Sequence, residues 1–158
     1  MGGDVLIEVM QLAARYAAIV DDPRRTKEWP DLFADEAAYV VTTRRDLDEG
    51  GRVAIMMDDT KGKILDRPHI IDEVWAGHYD AQATTHMVSI PLLEEVTDSL
   101  IRARTGFTVD IAKEGGRSHR LAGEYVDEIL RGADGLRFRR RLVVLNDDVL
   151  PTYFVRPL

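Results

Sequence analysis

The second half of the chain is dominated by side chains that alternate between apolar and polar. From residue 101 to residue 111 every second residue is apolar or Thr, while Arg102, Arg104 and Asp110 fall on the opposite face. A period of two predicts a half-buried antiparallel strand. Similar runs and Gly-containing turns surround this segment and predict a meander of four strands. The predicted strands run from His86 to Val96, from Ile101 to Ile111, from His119 to Leu130 and from Leu136 to Leu145, with turns at Thr97-Asp98, Glu114-Gly115-Gly116 and Gly132-Ala133-Asp134-Gly135.

The first half of the chain has helical spacing instead. Apolar residues three and four positions apart predict one helix from Asp4, its cap, to about Val20. Asp21-Asp22-Pro23 ends it, because the residue before a proline is disfavoured in the helical region. The shorter elements that follow are a helix capped by Thr26, a strand from Ala37 to Thr43, a loop from Arg44 to Arg52, a strand from Val53 to Met57, and a helix from Lys61 to Tyr79 with a cap at Asp58-Asp59-Thr60 and a break at Asp66-Arg67-Pro68.

The order of these elements fixes the expected fold class. Helices come first and strands last, without the alternation of strand and helix that builds a parallel sheet. We therefore expect one α+β domain over residues 1–158, with the N-terminal helices packed on one face of a strongly curved, mostly antiparallel sheet.

Composition excludes several functions. The sequence has 0 Cys, so it can form no disulfide, thiol nucleophile or thiolate metal site. A Rieske cluster needs two Cys beside its two His, so such a cluster would have to lie on another chain. The formal net charge of −7 disfavours nucleic-acid binding. No apolar run is long enough to span a membrane and no signal-peptide pattern opens the chain, so we expect a cytoplasmic protein without membrane contact.

The histidines offer one conceivable metal site. His78 and His86, with Asp80 or Asp72, would supply the two imidazoles and one carboxylate of a non-haem iron centre. Their spacing matches no known ligand motif. Ordinary hydrogen bonding of a helix-surface His78 and a strand-start His86 is the favoured interpretation, so we expect no metal in this chain.

A second set of residues would suit acid–base chemistry. Tyr16, Asp21 or Asp22, Tyr39 and His86 would converge on the interior of the fold. A carboxylate or imidazole with a tuned pKa serves as a general base, and a tyrosine donates to a developing oxyanion. The alternative is structural: Tyr16 continues an apolar helix stripe and belongs to the core. We favour the structural alternative and expect no catalytic residue here.

The densest basic run comprises Arg137, Arg139, Arg140 and Arg141. On a regular strand Arg137, Arg139 and Arg141 would share one face and Arg140 would point to the other. Arginine pairs bidentately with carboxylates and is enriched at interfaces. We therefore interpret Arg137, Arg139 and Arg141 as part of a salt-bridged sheet face or of a subunit interface.

Several of these segments together resemble one superfamily, the cone-shaped α+β domains of nuclear-transport-factor and polyketide-cyclase type. Within it the chain resembles most the small (beta) subunit of bacterial Rieske-type aromatic-ring-hydroxylating dioxygenases, the terephthalate and salicylate types above all. The resemblance rests on Tyr16-x-x-x-Val20-Asp21, Glu28-Trp29-Pro30-x-Leu32-Phe33-Ala34-Asp35-Glu36, Tyr39-x-Val41-Thr42, His86-Met87-Val88-Ser89-Ile90-Pro91, Gly123-Glu124-Tyr125-x-Asp127 and Pro157-Leu158.

The resemblance implies a role for the chain. Small subunits of this kind assemble with a large (alpha) subunit that carries a [2Fe–2S] Rieske cluster and a mononuclear non-haem Fe(II), typically as a hexamer of three large and three small subunits. They contain no catalytic residue and no cofactor of their own. The substrate of the complex would be an aromatic compound, an aromatic acid above all. A free-standing cyclase, isomerase or dehydratase, or a ligand-binding cone, remains the alternative.

Overall fold

The computed structural model describes residues 2–51, 53–78, 82–113, 115–149 and 155–158. The predicted positions Arg52, Tyr79, Asp80 and Glu114 lie outside these ranges. The helices are α1 (Gly2–Asp21), a 3₁₀ helix (Pro23–Leu32), α2 (Arg44–Asp48) and α3 (Lys61–His69), which continues as a π-helical turn (Ile70–Val74); the strands are β1 (Phe33–Thr43), β2 (Met56–Asp58), β3 (Gln82–Val88), β4 (Leu92–Val96), β5 (Leu100–Lys113), β6 (His119–Gly132) and β7 (Gly135–Leu145).

Helix α1 packs its predicted apolar stripe on the sheet. The side chains of this stripe are all buried, which confirms the helical spacing read from the sequence. The helix begins at Gly2, so Asp4 lies in its first turn instead of capping it. A carboxylate in the first turn still interacts favourably with the positive end of the helix dipole. The buried residues of the stripe are Val5, Val9, Leu12, Tyr16 and Ile19.

Asp22, and not Thr26, caps the second helix. Its carboxylate accepts a hydrogen bond of 3.0 Å from the Arg24 amide, and Pro23 occupies the start of the helix, where no amide hydrogen is needed. Thr26 lies inside the helix and donates its hydroxyl to the Pro23 carbonyl at 2.9 Å. The segment is a 3₁₀ helix that buries Trp29 against the core.

The segment from residue 33 to residue 58 differs from the prediction at three points. Strand β1 begins at Phe33, before the predicted Ala37, and the predicted loop after it contains helix α2. Thr43 caps α2 by accepting from the Asp46 amide at 3.1 Å, a local side-chain bond that favours helix over loop. Strand β2 covers Met56–Asp58 instead of Val53 to Met57.

Helix α3 confirms Thr60 as its cap but passes through the predicted break. The Thr60 hydroxyl accepts from the Lys63 amide at 3.3 Å. Pro68 is buried within the helix, which ends at His69 and widens into the π-helical turn. Arg67 holds this part of the helix to β2, because its guanidinium donates to both Asp58 oxygens, at 2.7 and 2.8 Å.

The strands of the described residues form one seven-stranded sheet in the order β2-β1-β7-β6-β5-β3, with β4 also paired to β5. The predicted strand from His86 to Val96 is two strands, β3 and β4, separated around Pro91. The meander β5-β6-β7 is antiparallel, as predicted. Strands β1 and β7 pair in parallel, which the sequence analysis did not anticipate, and this places Tyr39 beside Arg141.

An irregularity in β7 inverts its alternation. The register between β6 and β7 shifts at Glu128 and Ile129, so that Arg139 has no partner on β6. This is a β-bulge, in which one extra residue is inserted on one strand. As a result Phe138 and Arg141, three positions apart, are both buried, at 1% exposure each.

The core lies between the sheet and the helices. A Cβ at Gly123 would clash with the Val144 carbonyl oxygen, so only glycine allows this close approach of β6 and β7. No helix in the described residues has the length and apolar character needed to cross a membrane.

Candidate functional site

The interior of the fold contains the polar residues that the sequence analysis grouped together. The structure brings them together as two pairs, Tyr16 with Tyr39 and Asp21 with His86. Tyr16 comes from α1 and Tyr39 from β1, while Asp21 ends α1 and His86 lies on β3. Asp22, the alternative to Asp21, is bound to exposed Arg24 outside this interior.

Tyr16 and Tyr39 both bind the main chain of Leu158, the last residue of the sequence. The Tyr16 hydroxyl donates to the Leu158 oxygen at 2.6 Å, and the Tyr39 hydroxyl donates to the same oxygen at 3.2 Å. The Leu158 amide in turn donates to the Tyr39 hydroxyl at 2.8 Å. Two phenols around one oxygen would suit a substrate carbonyl. In this chain the position is occupied by the chain's own backbone.

Burial determines the protonation of the two phenols. It raises the pKa of Tyr16, although nearby Arg141 opposes the effect, and it raises the pKa of Tyr39 well above its usual range. Both groups are therefore neutral at physiological pH. They act as hydrogen-bond donors that hold Leu158, and they cannot serve as bases.

Asp21 and His86 form a hydrogen-bonded pair that fastens the end of α1 to β3. His86 Nδ1 lies 2.6 Å from Asp21 Oδ1, and the His86 amide donates to Asp21 Oδ2 at 2.8 Å. The Thr84 hydroxyl donates to Asp21 Oδ1 at 2.7 Å. The His86 side chain is 0% exposed and its Nε2 has no partner among the described residues. The imidazole therefore has no open surface on which to meet a substrate.

Hydrogen bonding also sets the charge of Asp21. Burial alone would raise its pKa, but the bonds from the side chain and amide of His86, with Thr84, outweigh that effect and lower the pKa. A carboxyl group whose folded pKa is lowered stabilises the fold above its unfolded pKa, near about 3.9. That contribution is lost as the pH falls through the folded pKa.

Replacing Asp21 with Asn should therefore cost stability at neutral pH and little in acid. We expect Asp21→Asn to lower the free energy of unfolding by about 1–2 kcal/mol at pH 7, because it weakens three hydrogen bonds to one carboxylate. The difference from wild type should be smaller at pH 3, because the wild-type protein starts to lose this contribution below the unfolded pKa of about 3.9 and loses the rest as the pH falls through the lowered folded pKa. Urea unfolding at the two pH values measures it.

Asp22→Asn is the matched control, because Asn keeps the acceptor that caps the 3₁₀ helix. It should change the unfolding midpoint less than Asp21→Asn at pH 7. An Asp21→Asn difference that stays constant from pH 7 to pH 3 would contradict the assignment of the charge.

Arg141 is a large charged side chain in the interior. The sequence pattern had predicted it on a salt-bridged sheet face or at a subunit interface. Its guanidinium donates to both oxygens of buried Asp127, at 2.9 and 2.7 Å. The guanidinium carbon also lies 4.1, 4.1 and 3.9 Å from the ring centres of Tyr16, Tyr125 and Phe138. Burial disfavours this charge, but the Asp127 carboxylate raises the pKa of Arg141 on balance. The pair is a charged cross-link between β6 and β7 inside an aromatic box.

The prediction that Arg137, Arg139 and Arg141 share one face is wrong, because the bulge turns Arg141 into the core. Arg139 and Arg137 remain on the surface, and Arg139 is 3.9 Å from Glu128. Arg139 lines a groove of about 460 Å³ that also exposes acidic Asp35 and Glu36. An interface role for Arg137 and Arg139 stays a prediction.

The described residues contain no cluster of three or more His, Asp and Glu side chains that would hold a metal ion. His78 lies near Trp75, with 6.3 Å between ring centres, and His86 is bound to Asp21. Asp72 is exposed on the π-helical turn, and Asp80 lies outside the described ranges.

Comparison with known proteins identifies a family and a relative that this chain resembles. Residues 7–142 match the family model described as a SnoaL-like domain. The anthranilate 1,2-dioxygenase small subunit of Burkholderia cepacia is 25% identical over 152 residues, which cover 96% of this chain and 92% of that protein.

Solved structures agree with the fold and confirm the predicted α+β class, with helices on a curved sheet; the sheet is open and mixed. A Novosphingobium aromaticivorans protein described as the beta subunit of an aromatic-ring-hydroxylating dioxygenase superposes with a TM-score of 0.89 at 23% identity, covering 99% of both chains. The beta subunit of benzoate 1,2-dioxygenase from Burkholderia mallei gives 0.77 at 15%, covering 93% of this chain and 94% of that one. A second Novosphingobium aromaticivorans protein, described as a scytalone dehydratase, gives 0.71 at 15%, covering 93% and 89%.

Proposed function

Because this chain belongs to the SnoaL-like domain family, we propose that it is the small, structural subunit of an aromatic-ring-hydroxylating dioxygenase. The family model covers most of the chain, and the relative that matches almost end to end is a dioxygenase small subunit. The fold alone does not separate this role from that of a pocket enzyme, since both kinds of protein share it. The contacts inside the fold distinguish the structural subunit from the pocket enzyme.

The observation that carries the proposal is that the chain fills its own interior. The Leu158 main chain takes the oxygen position between Tyr16 and Tyr39, and the Leu158 side chain is 3% exposed within the core. Arg141 and Asp127 neutralise each other beside it. A catalyst needs room for a substrate next to its polar groups. Here Tyr16 and Tyr39 bind the main chain and Arg141 binds Asp127, as expected of a scaffold.

The cofactors of such an oxygenase would lie on the partner chain. A [2Fe–2S] Rieske cluster requires two Cys ligands, and this sequence has 0 Cys, so its residues do not fit that cluster. We assign the cluster and a mononuclear non-haem Fe(II) to the large subunit. The described residues likewise offer no set of His and carboxylate ligands for iron.

The proposed stoichiometry, location and substrate class follow from the resemblance to dioxygenase small subunits. The chain would assemble with large subunits as a hexamer of three large and three small subunits, and would act in the cytoplasm on an aromatic acid. Exposed Arg137 and Arg139 would take part in the contact with the large subunit, because arginine forms bidentate bonds with carboxylates across interfaces.

A second candidate function is a free-standing dehydratase, isomerase or cyclase. The observation that favours it is the 2.6 Å bond between Asp21 and His86, since a carboxylate that orients an imidazole is a common general base. It would require Leu158 to leave the tyrosine pair and His86 to become accessible.

Co-expression with the large subunit tests the proposal. The two chains should elute as one complex in size-exclusion chromatography at moderate salt, and the iron should follow the large subunit. Obligate interfaces commonly bury more than about 2,000 Å² and have an apolar centre, so the complex should also persist at high salt. Separate elution of two folded chains, or about one iron per small subunit that survives chelator dialysis, would overturn the proposal.

A further inference from the structure

Strands β3 and β4 lie end to end along one side of β5 and form a free edge of the sheet. Strand β3 pairs with residues 107–113 of β5, and β4 pairs with residues 101–104. No other strand of the described residues pairs with their outer sides. The chain itself covers this edge at His86, whose amide donates to Asp21 Oδ2 at 2.8 Å. An uncovered edge offers unpaired amide and carbonyl groups to another chain.

Three large apolar side chains are exposed where β3 gives way to β4. Met87, Ile90 and Leu92 are 50%, 70% and 63% exposed. In register Met87 lies opposite Thr108 and Leu92 opposite Arg104, on the face of β5 that points away from the core. Exposed apolar surface beside an unpaired edge marks an interaction site. We call Met87, Ile90 and Leu92 the edge patch.

The main chain of β4 is oriented to receive a further strand. The Thr97 amide donates to the Leu100 carbonyl at 2.8 Å across the turn that leads into β5. Bonded and non-bonded pairs alternate along antiparallel strands. The next pair, Val96 with Ile101, therefore turns the amide and carbonyl of Val96 away from β5.

We propose that this edge binds the large subunit, which contributes an extended segment that pairs with β4 at Val96 and covers the edge patch with apolar side chains. The inference rests on the proposed function and deepens it, because it names the surface through which the small subunit meets its partner. In a contact of this kind the main-chain bonds supply affinity and the alternate side chains supply specificity.

Charge on β4 selects the chemistry of the partner segment. Glu94 and Glu95 lie in the middle of the strand, and each side chain is 43% exposed. Glu95 binds Arg102 at 2.8 Å. Glu94 is 3.6 Å from Arg104, whose guanidinium already donates to both oxygens of Glu124. Glu94 can therefore accept a hydrogen bond from a Lys or Arg of the partner segment.

A second copy of this chain fits the same edge poorly. Antiparallel pairing of two β4 strands, each Leu92–Val96, about a twofold axis at their centres would set Glu94 opposite Glu94. Like charges directly opposite each other destabilise a strand pair. Such a contact would also close on itself and leave the edge unavailable to a large subunit.

Binding of small-subunit variants to the immobilised large subunit tests the proposal. Leu92→Glu should weaken the affinity at least about tenfold, because it places a charge in an apolar contact. Met57→Glu is the matched control, since Met57 is also 50% exposed but lies on β2, at the opposite edge of the sheet. The control should bind like the wild type, and both variants should keep the wild-type melting temperature. Equal affinity of the two variants would overturn the proposal.

Val96→Pro tests the main-chain pairing. Proline removes the outward amide, and an edge strand tolerates it where that amide faces solvent. It should bind the large subunit more weakly than Val96→Ala, which shortens the side chain and keeps the amide. Hydrogen exchange of the wild type gives the same answer without a substitution: the Val96 amide should exchange many times more slowly in the complex than in the free subunit. Unchanged exchange would overturn the strand pairing.

The outcomes separate this inference from the function on which it rests. A wild type that does not bind the large subunit would overturn the proposed function, and this inference with it. A wild type that binds no better than Leu92→Glu would overturn only the choice of surface. A free wild type that self-associates, and loses this with Leu92→Glu, would assign the edge to a second copy and overturn the inference.

Discussion

Replacing Arg141 with alanine should lower the free energy of unfolding by about 3–5 kcal/mol, because it leaves the Asp127 carboxylate buried without a partner. Arg141 and Asp127 are 1% and 3% exposed, and the pair makes two hydrogen bonds below 3 Å. The guanidinium also packs on three aromatic rings, so its removal empties the centre of the aromatic box. Urea unfolding followed by circular dichroism measures the loss.

Two further variants separate the pair from a general effect of losing arginine. Arg139→Ala, two residues away but exposed at the bulge, should stay within about 0.5 kcal/mol of wild type. The double variant Arg141→Met with Asp127→Leu should recover much of the loss, because apolar residues of similar volume often replace a buried ion pair at little cost. An Arg141→Ala variant as stable as Arg139→Ala would contradict the assignment of the pair.

Deleting residues 155–158 should have an effect of similar size. The deletion removes the buried Val155 and Leu158 side chains and strips both tyrosine hydroxyls of their partner. Removing a buried leucine costs about 2–5 kcal/mol, and each buried hydroxyl left unsatisfied adds about 1–3 kcal/mol. We expect a loss of at least about 3 kcal/mol in the free energy of unfolding.

Leu158→Ala separates the two contributions in this prediction, because it keeps the main-chain bonds and loses only the side chain. It should be clearly less destabilising than the deletion. An unchanged unfolding midpoint after deletion would show that Leu158 does not hold Tyr16 and Tyr39 in solution.

The sequence predicted what depends on local pattern. The alternation from Ile101 to Ile111 correctly gave the buried face of β5, and the helical spacing of α1 gave its buried stripe. The structure places Tyr16 and Tyr39 around Leu158 and binds Asp21 to His86, which are two pairs within the set that the sequence analysis considered for acid–base chemistry.

What the sequence could not predict depends on contacts between distant residues or on one inserted residue. The parallel pairing of β1 and β7 joins segments about a hundred residues apart, and no local sequence pattern predicts it. The bulge at Arg139 inverts a period-two pattern, so the predicted face of Arg141 was wrong. Phe138 and Arg141 are both buried although they are three residues apart, which a regular strand would not allow. The position of Leu158 between two tyrosines likewise depends on the fold alone.

Turnover of the assembled oxygenase with Tyr16→Phe in the small subunit tests the central claim most directly, namely that this interior is a scaffold and not a catalyst. The substitution removes only the hydroxyl that binds Leu158 at 2.6 Å. Turnover per assembled complex should stay near wild type, with at most a modest loss of thermal stability. A fall of about a hundredfold, the size expected for loss of an oxyanion donor, at unchanged complex size and melting temperature would contradict the account.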